Sequence, residues 1–113
     1  MIINVFLVNK NKYFNENELV GEWLKLPCTI TQIESMKENI LLDKYDDYMI
    51  EDYKTDIPNM IIPVYDTIEY LNVLAQKLET LSIDELKQFD EVLKNETSDY
   101  YEAYKKIFEL KKD

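Results

Sequence analysis

Pro58-Asn59-Met60-Ile61-Ile62-Pro63 divides this chain into two halves of different character. Two prolines bracket a short uncharged apolar link, and proline interrupts both helices and strand ladders. Before the link, apolar residues come in β-branched and aromatic runs. After it, they recur at helical spacing.

Working back from the link, Tyr48 to Tyr53 reads as a strand, edge-like because it carries Glu51 and Asp52. Ile2 to Val8 is a dense β-branched run and reads as a buried strand. Leu19 to Leu26, with Trp23 inside it, reads as another that stops at Pro27, with Gly21 as a bulge. The polar stretch Asn9 to Asn17 between them reads as a loop or wide hairpin connection. Thr31 and Glu34 form a capping-box pair that opens a helix over 32–42, with Ile33, Met36, Ile40 and Leu41 on its apolar face. Asp43 to Asp47 is an acidic connection.

Working forward, Asp66 with Glu69 predicts a capped helix carrying Ile68, Leu71, Ala75 and Leu78 on one face. Ser82 with Glu85 is a second capping box, followed by Leu86, Phe89 and Leu93. Thr97 or Ser98 opens a last helix with Tyr100, Tyr104, Ile107 and Phe108 inward, and Lys111 and Lys112 suit its negative pole. The expected fold is α+β: a small three-stranded antiparallel sheet with one helix (β-β-α-β), followed by a three-helix C-terminal half. The corresponding units are 1–63 and 64–113.

At 113 residues, 46% of them hydrophobic, the chain can bury a real core, so wholesale disorder is excluded. The single cysteine, Cys28, allows no internal disulfide and points to a reducing, cytoplasmic compartment. The apolar start lacks the charged n-region and cleavage site of a signal peptide, and no run approaches a membrane span.

The 23 acids outnumber the 13 bases, for a formal net charge of -10. That balance disfavours direct nucleic-acid binding and a membrane surface, both of which need Lys and Arg, and favours a basic partner. The charge is uneven: residues 34–102 carry a net -12, while residues 103–113 carry +2. A compact chain of this length has a radius of gyration of roughly 13 Å and a diameter of about 34 Å. Duplex DNA of that length carries about 20 charges. The chain therefore has the charge to imitate DNA on one face only; the competing reading is acidity for solubility alone.

The chemistry available is narrow. The chain has no histidine, which removes the commonest general base, the commonest metal ligand and every Ser-His or Cys-His pair. Cys28, beside Pro27 and near only Lys25, reads as a small buried residue rather than a nucleophile. No glycine-rich phosphate loop occurs, and the carboxylates around 43–52 lack the spacing of a calcium loop. We therefore expect no enzyme, no cofactor and no metal. Trp23 and the nine tyrosines read as core or rim, since a base-stacking platform needs a basic groove.

Four stretches resemble the ArdA antirestriction family. Lys12-Tyr13-Phe14-Asn15, followed by Glu18-Leu19-Val20-Gly21-Glu22-Trp23-Leu24-Lys25-Leu26-Pro27, is similar to that family's opening "KYN…G-x-W-L-LP" pattern. Tyr48-Met49-Ile50-Glu51-Asp52-Tyr53 resembles its "EYFIxDYE" strand, and Ile68-Glu69-Tyr70-Leu71-Asn72-Val73-Leu74-Ala75 its "IEELNxLA" helix. The matches keep the family's order over roughly residues 3 to 95. The resemblance implies a protein of plasmids, transposons or phages: an acidic, elongated mimic of B-form DNA that occupies the DNA site of type I restriction-modification enzymes. It implies a β-rich N-terminal module and a helical middle module; the family's C-terminal α/β module, which forms its dimer interface, is expected to be missing. The sequence itself gives no support for a homodimer.

The expected function is inhibition of a host defence complex by carboxylates standing where phosphates belong. The candidate residues are Asp43, Asp46, Asp47, Glu51, Asp52 and Asp56, then Asp66, Glu69, Asp84, Glu85, Asp90 and Glu91, of which Asp66, Asp84 and Glu85 have a competing duty as helix caps. The expected partner is the basic DNA-binding surface of a restriction complex. The alternatives are an anti-CRISPR protein seated in the DNA- or PAM-reading groove of an effector, and an acidic adaptor binding through its last helix.

Overall fold

The computed structural model describes residues 3–45 and 47–111. Three strands, β1 (Ile3–Asn9), β2 (Gly21–Leu26) and β3 (Tyr48–Thr55), form an antiparallel sheet in the order β2-β1-β3. Two helices, α1 (Lys10–Asn15) and α2 (Ile30–Asn39), lie between the strands. Three more, α3 (Ile68–Glu79), α4 (Ile83–Asn95) and α5 (Tyr100–Lys111), follow the sheet.

Alternation along β1 sets the layers. Ile3, Val5 and Leu7 are fully buried and meet Leu24 and Leu26 of β2 and Ile50 of β3 in the main core. Ile33 and Met36 of α2 join them, with Ile68, Leu71, Ala75 and Leu78 of α3, Phe89 and Leu93 of α4, and Tyr100 and Ile107 of α5. Burying each Val, Leu, Ile, Met or Phe side chain among them stabilises the fold by about 1.5–3 kcal/mol. The other sheet face carries Phe6 opposite Trp23, their ring centroids 5.3 Å apart, with Lys54 over the Trp23 ring. Towards the end of β1 that face is closed at Val8 and Met49, which are buried, where α1 packs against β1 and β3.

Several sequence expectations are corrected. The stretch Asn9–Asn17 is not all loop. The buried Asn9 side chain accepts the Lys12 amide at 3.0 Å and caps α1, while its Nδ2 donates to Ile40 O at 2.9 Å and Leu41 O at 3.0 Å. Gly21 is not a bulge; it pairs with Val8 in regular register. A Cβ there would lie 2.8 Å from Leu7 O and Val8 Cγ1 and 2.9 Å from Phe6 Cζ, so close approach of the strands excludes a side chain. The irregularity sits instead between β1 and β3, where Phe6 pairs with Asp52 and Leu7 with Ile50, leaving Glu51 as the extra residue.

The capping box of α2 is Thr29 with Gln32, two residues before the expected Thr31 and Glu34. The helix closes at Asn39, and Leu41 is 60% exposed with φ 62. Leu41 N donates to Glu38 O and Leu42 N to Lys37 O, which makes Leu41 the left-handed residue of a Schellman turn rather than a member of the apolar face. For α3 the N-cap is Thr67, without a side-chain cap bond; the Tyr48 hydroxyl accepts the Ile68 amide at 2.9 Å instead. Asp66 accepts the Thr67 amide at 2.8 Å. The Ser82–Glu85 capping box of α4 stands as expected. The cap of α5 is Asp99, whose Oδ1 accepts the Tyr101 and Glu102 amides, rather than Thr97 or Ser98. Phe108 is 49% exposed, not inward.

The Pro58–Pro63 stretch is part of the core rather than a spacer, since Ile57, Met60 and Ile62 are buried within it. Asp90 holds the stretch to α4, accepting the Asn59 amide at 2.8 Å and its Nδ2 at 2.9 Å. One continuous core therefore runs through both halves of the chain. The molecule is elongated, with principal extents of 51 × 27 × 21 Å and a radius of gyration of 15.4 Å. That is longer than the compact shape expected from chain length.

Candidate acidic interface

The first six candidate carboxylates follow one path, apart from Asp46, which lies outside the described residues. Asp43 and Asp47 flank the connection that enters β3, Glu51 and Asp52 stand mid-strand, and Asp56 follows its end. All five are exposed. From Asp47 to Asp56 the extended chain covers about 30 Å at ~3.3 Å per residue. β3 is an edge strand, and on its outer flank Ile50 N donates to Val64 O at 2.8 Å.

Local chemistry holds these groups in place. Asp43 accepts the Tyr45 amide at 2.9 Å and Asp52 accepts the Tyr53 amide at 2.8 Å. Such bonds fix a short side chain against its own backbone while leaving carboxylate lone pairs towards solvent. Asp47 is partly neutralised by Lys10, Nζ to Oδ1 3.8 Å.

Past the end of β3 the path crosses to α4. Asp56, Asp90 and Glu91 line a groove together with Ile57, Ile83, Leu86 and Lys87. The fold thus gathers carboxylates more than thirty residues apart in sequence. Asp84 and Glu91, seven residues apart on α4, share a helix face. Asp90 is half-buried and occupied with Asn59, so its main contribution is structural.

The remaining candidates do not join this path. Glu69 forms an ion pair with Lys37 of α2, Oε1 to Nζ 2.7 Å. Glu85 bonds the Ser82 amide as part of the capping box. Asp66 is half-buried beside α5. Burial pushes its carboxyl up, and Asp99 adds to the rise, while the Thr67 amide and Tyr101 hydroxyl oppose it. No hydrogen bond of ordinary geometry reaches its enclosed Oδ2.

Asp99 and Tyr101, which meet Asp66 in one groove, are absent from the candidate residues above. The available signal was Asp99 two residues before Tyr101 at a helix start, a good capping position. Cys28 is half-buried, and burial pushes its thiol up, away from the reactive thiolate. Among the described residues, no group of three or more Cys, Asp or Glu is placed to hold a metal ion. Among them, too, no helix is long and apolar enough to cross a membrane.

A family model described as the antirestriction protein ArdA matches residues 5–111, which takes in nearly all of the sheet, the acidic path and all of α5. No curated protein matches the chain by sequence.

Proposed function

The chain belongs to the ArdA antirestriction protein family, and from that membership we propose that it acts as a decoy. Carboxylates along β3 and α4 occupy the cationic DNA-binding cleft of a host type I restriction-modification enzyme, without catalysis and without binding nucleic acid. A phage or another mobile element is the source that fits such an inhibitor.

The observation that carries this reading is the exposed path Asp43–Asp47–Glu51–Asp52–Asp56, continued at Glu91, on an elongated body. One DNA strand places about nine phosphates along the ~30 Å between Asp47 and Asp56. Four carboxylates stand on that interval, roughly half that density. Imitation at half density on one flank suits a short footprint in a cleft better than the encircled length of a duplex.

The test neutralises Asp47, Glu51, Asp52 and Asp56 together to Asn or Gln. All four are exposed, and Asn at 52 still accepts the Tyr53 amide, so the fold is expected to survive. Protection of unmodified DNA from a type I restriction enzyme should weaken by about tenfold or more, as when several charge pairs are lost from an interface. Undiminished protection would reject the β3 path. The same assay against a CRISPR effector identifies the alternative target: interference blocked while restriction proceeds moves the decoy to that complex.

One feature favours the adaptor reading as a second choice. A largely apolar groove between α3 and α5 exposes Tyr70 and Val73 and is lined by the half-buried Tyr104 beside Lys77, Lys105 and Glu109. A partner held there by apolar contact would persist in high salt, whereas the decoy would not.

A further inference from the structure

One face of the sheet is turned away from the main core, and strand register sets its pattern. Asn4 stands opposite Lys25 on β2 and Lys54 on β3, and Phe6 stands opposite Trp23 and Asp52. Two rows therefore cross that face, Lys25–Asn4–Lys54 and Trp23–Phe6–Asp52, about 7 Å apart. Lys25, Lys54 and Asp52 are exposed and Trp23 is 41% exposed, so the chain itself leaves these rows uncovered.

We propose that this face is the interface of a weak homodimer, in which two copies pack sheet on sheet about a two-fold axis lying between the rows at right angles to the strands. The interface stands on the open face alone; its use in inhibition rests on the decoy reading, which it deepens.

Charge selects the axis. A half-turn about it sets Lys54 opposite Asp52 of the second copy, Lys25 opposite Trp23, and Asn4 opposite Phe6, each contact occurring twice. A half-turn about the strand direction would set Lys25 against Lys54, like charge on like charge. The Trp23 ring already attracts an ammonium, with Lys54 Nζ of the same chain 5.2 Å from its centroid. In the dimer Lys25 of the second copy takes that place, and Lys54 exchanges a ring for a carboxylate. Packed sheets lie about 10 Å apart and a helix is about 10–12 Å thick, so α1, which carries the exposed Tyr13 and Phe14, fits at each end of the gap. Two rows on three strands cover roughly 14 × 14 Å, less than the ~800 Å² per partner of a standard interface. The association is accordingly weak, with a Kd of about 10 μM to 1 mM.

The same half-turn lays β3 over β3 of the second copy. Their acidic edges then share one flank, antiparallel and about 10 Å apart, a spacing between the ~6 and ~12 Å widths of the two DNA grooves. With Asp52 turned to Lys54, that flank presents Asp47, Glu51 and Asp56 twice, six carboxylates where one copy presents four.

The test is sedimentation equilibrium of the full chain from about 10 μM to 1 mM, with amide-resolved NMR over the same range. The chain should dimerise, with concentration-dependent shifts centred on residues 4, 6, 23, 25, 52 and 54. Lys54→Glu sets Glu against Asp52 and should weaken association by about fivefold or more; adding Asp52→Lys restores the pair in reverse and should return the Kd to within about twofold of the parent. Both positions are exposed, so the fold is expected to survive, and thermal midpoints check it. A chain still monomeric at the highest concentration overturns the dimer, as do shifts confined to the α3–α5 groove or a double variant that does not recover. Because association is read without a restriction enzyme, the two readings fail separately. Dimerisation by this face in a chain that inhibits nothing defeats the decoy and leaves the dimer; inhibition by a chain that stays monomeric defeats the dimer alone.

Discussion

Two buried asparagines do work that their composition disguises. Asparagine is a turn signal in sequence, yet Asn9 joins the start of α1 to the carbonyls that end α2. Asn72 on α3 bonds both the amide and the carbonyl of Cys28, at 2.8 and 3.0 Å, and so fixes the chain after β2 to the helical half. Such groups are costly to leave unpaired, by about 1–3 kcal/mol each, which is why they occur where two elements must meet in one way. Asp66 is the opposite case, a carboxyl that burial strains. Its folded value lies above the ordinary 3.8, so folding favours its protonated form. Its contribution to stability is therefore full below pH 3.8 and is lost as pH rises through the raised folded value. Asp66→Asn should be more stable than the parent at pH 7, with the difference shrinking as pH falls through the raised folded value towards 3.8. Urea midpoints of both proteins at the two ends of that range check it; a constant difference across pH would refute the burial argument.

At the scale of elements, helix starts separate what local pattern can settle from what it cannot. Thr29-x-x-Gln32 and Thr31-x-x-Glu34 are both capping boxes by pattern. The apolar face does not choose between them, because Ile30 is 73% exposed. The fold chooses Thr29, whose hydroxyl accepts the Gln32 amide at 3.1 Å while its own amide donates to Gln32 Oε1 at 2.9 Å. Thr29→Ala should cost about 1 kcal/mol of stability. Thr31→Ala, exposed and inside the helix, should stay within about 0.5 kcal/mol, and comparing the two thermal midpoints decides the register. α1 is a still clearer tertiary effect. Six residues are too few for an isolated helix, and it persists because Asn9 caps it and the sheet lies beneath. For α3, the hydroxyl that meets the first amide comes from Tyr48, twenty residues earlier on β3, so no local motif could reveal it.

At the scale of the molecule, length and charge act together. A body 51 Å long spreads its net charge of -10 thinly, and exposed charges further apart than about 8 Å are largely screened at physiological salt. Recognition by the β3 path should then be fast and salt-sensitive. The association rate with the target should fall by about tenfold or more as salt rises from roughly 0.05 to 0.5 M, with the dissociation rate changing far less. Stopped-flow or surface-binding kinetics measures both rates. A salt-independent association would favour the apolar α3–α5 groove as the contact.

Read alone, the sequence determined every element type but α1, the three-stranded antiparallel sheet with helices after it, the kinship with ArdA and the acidic bias of residues 34–102. The kinship rests on the resemblance of four stretches in order; the rest follows from short-range periodicity, capping patterns or composition, which need no knowledge of distant neighbours. Only the tertiary structure decided that β1 lies between β2 and β3, that the Pro58–Pro63 stretch is core, and that Asp56 stands with Asp90 and Glu91 while Glu69 is paired away with Lys37. It alone brought Asp99 to Asp66. The physical reason is common to all of these: a charge or a cap acts through space over a few ångströms, and which distant residue fills that space is set by how the apolar faces pack.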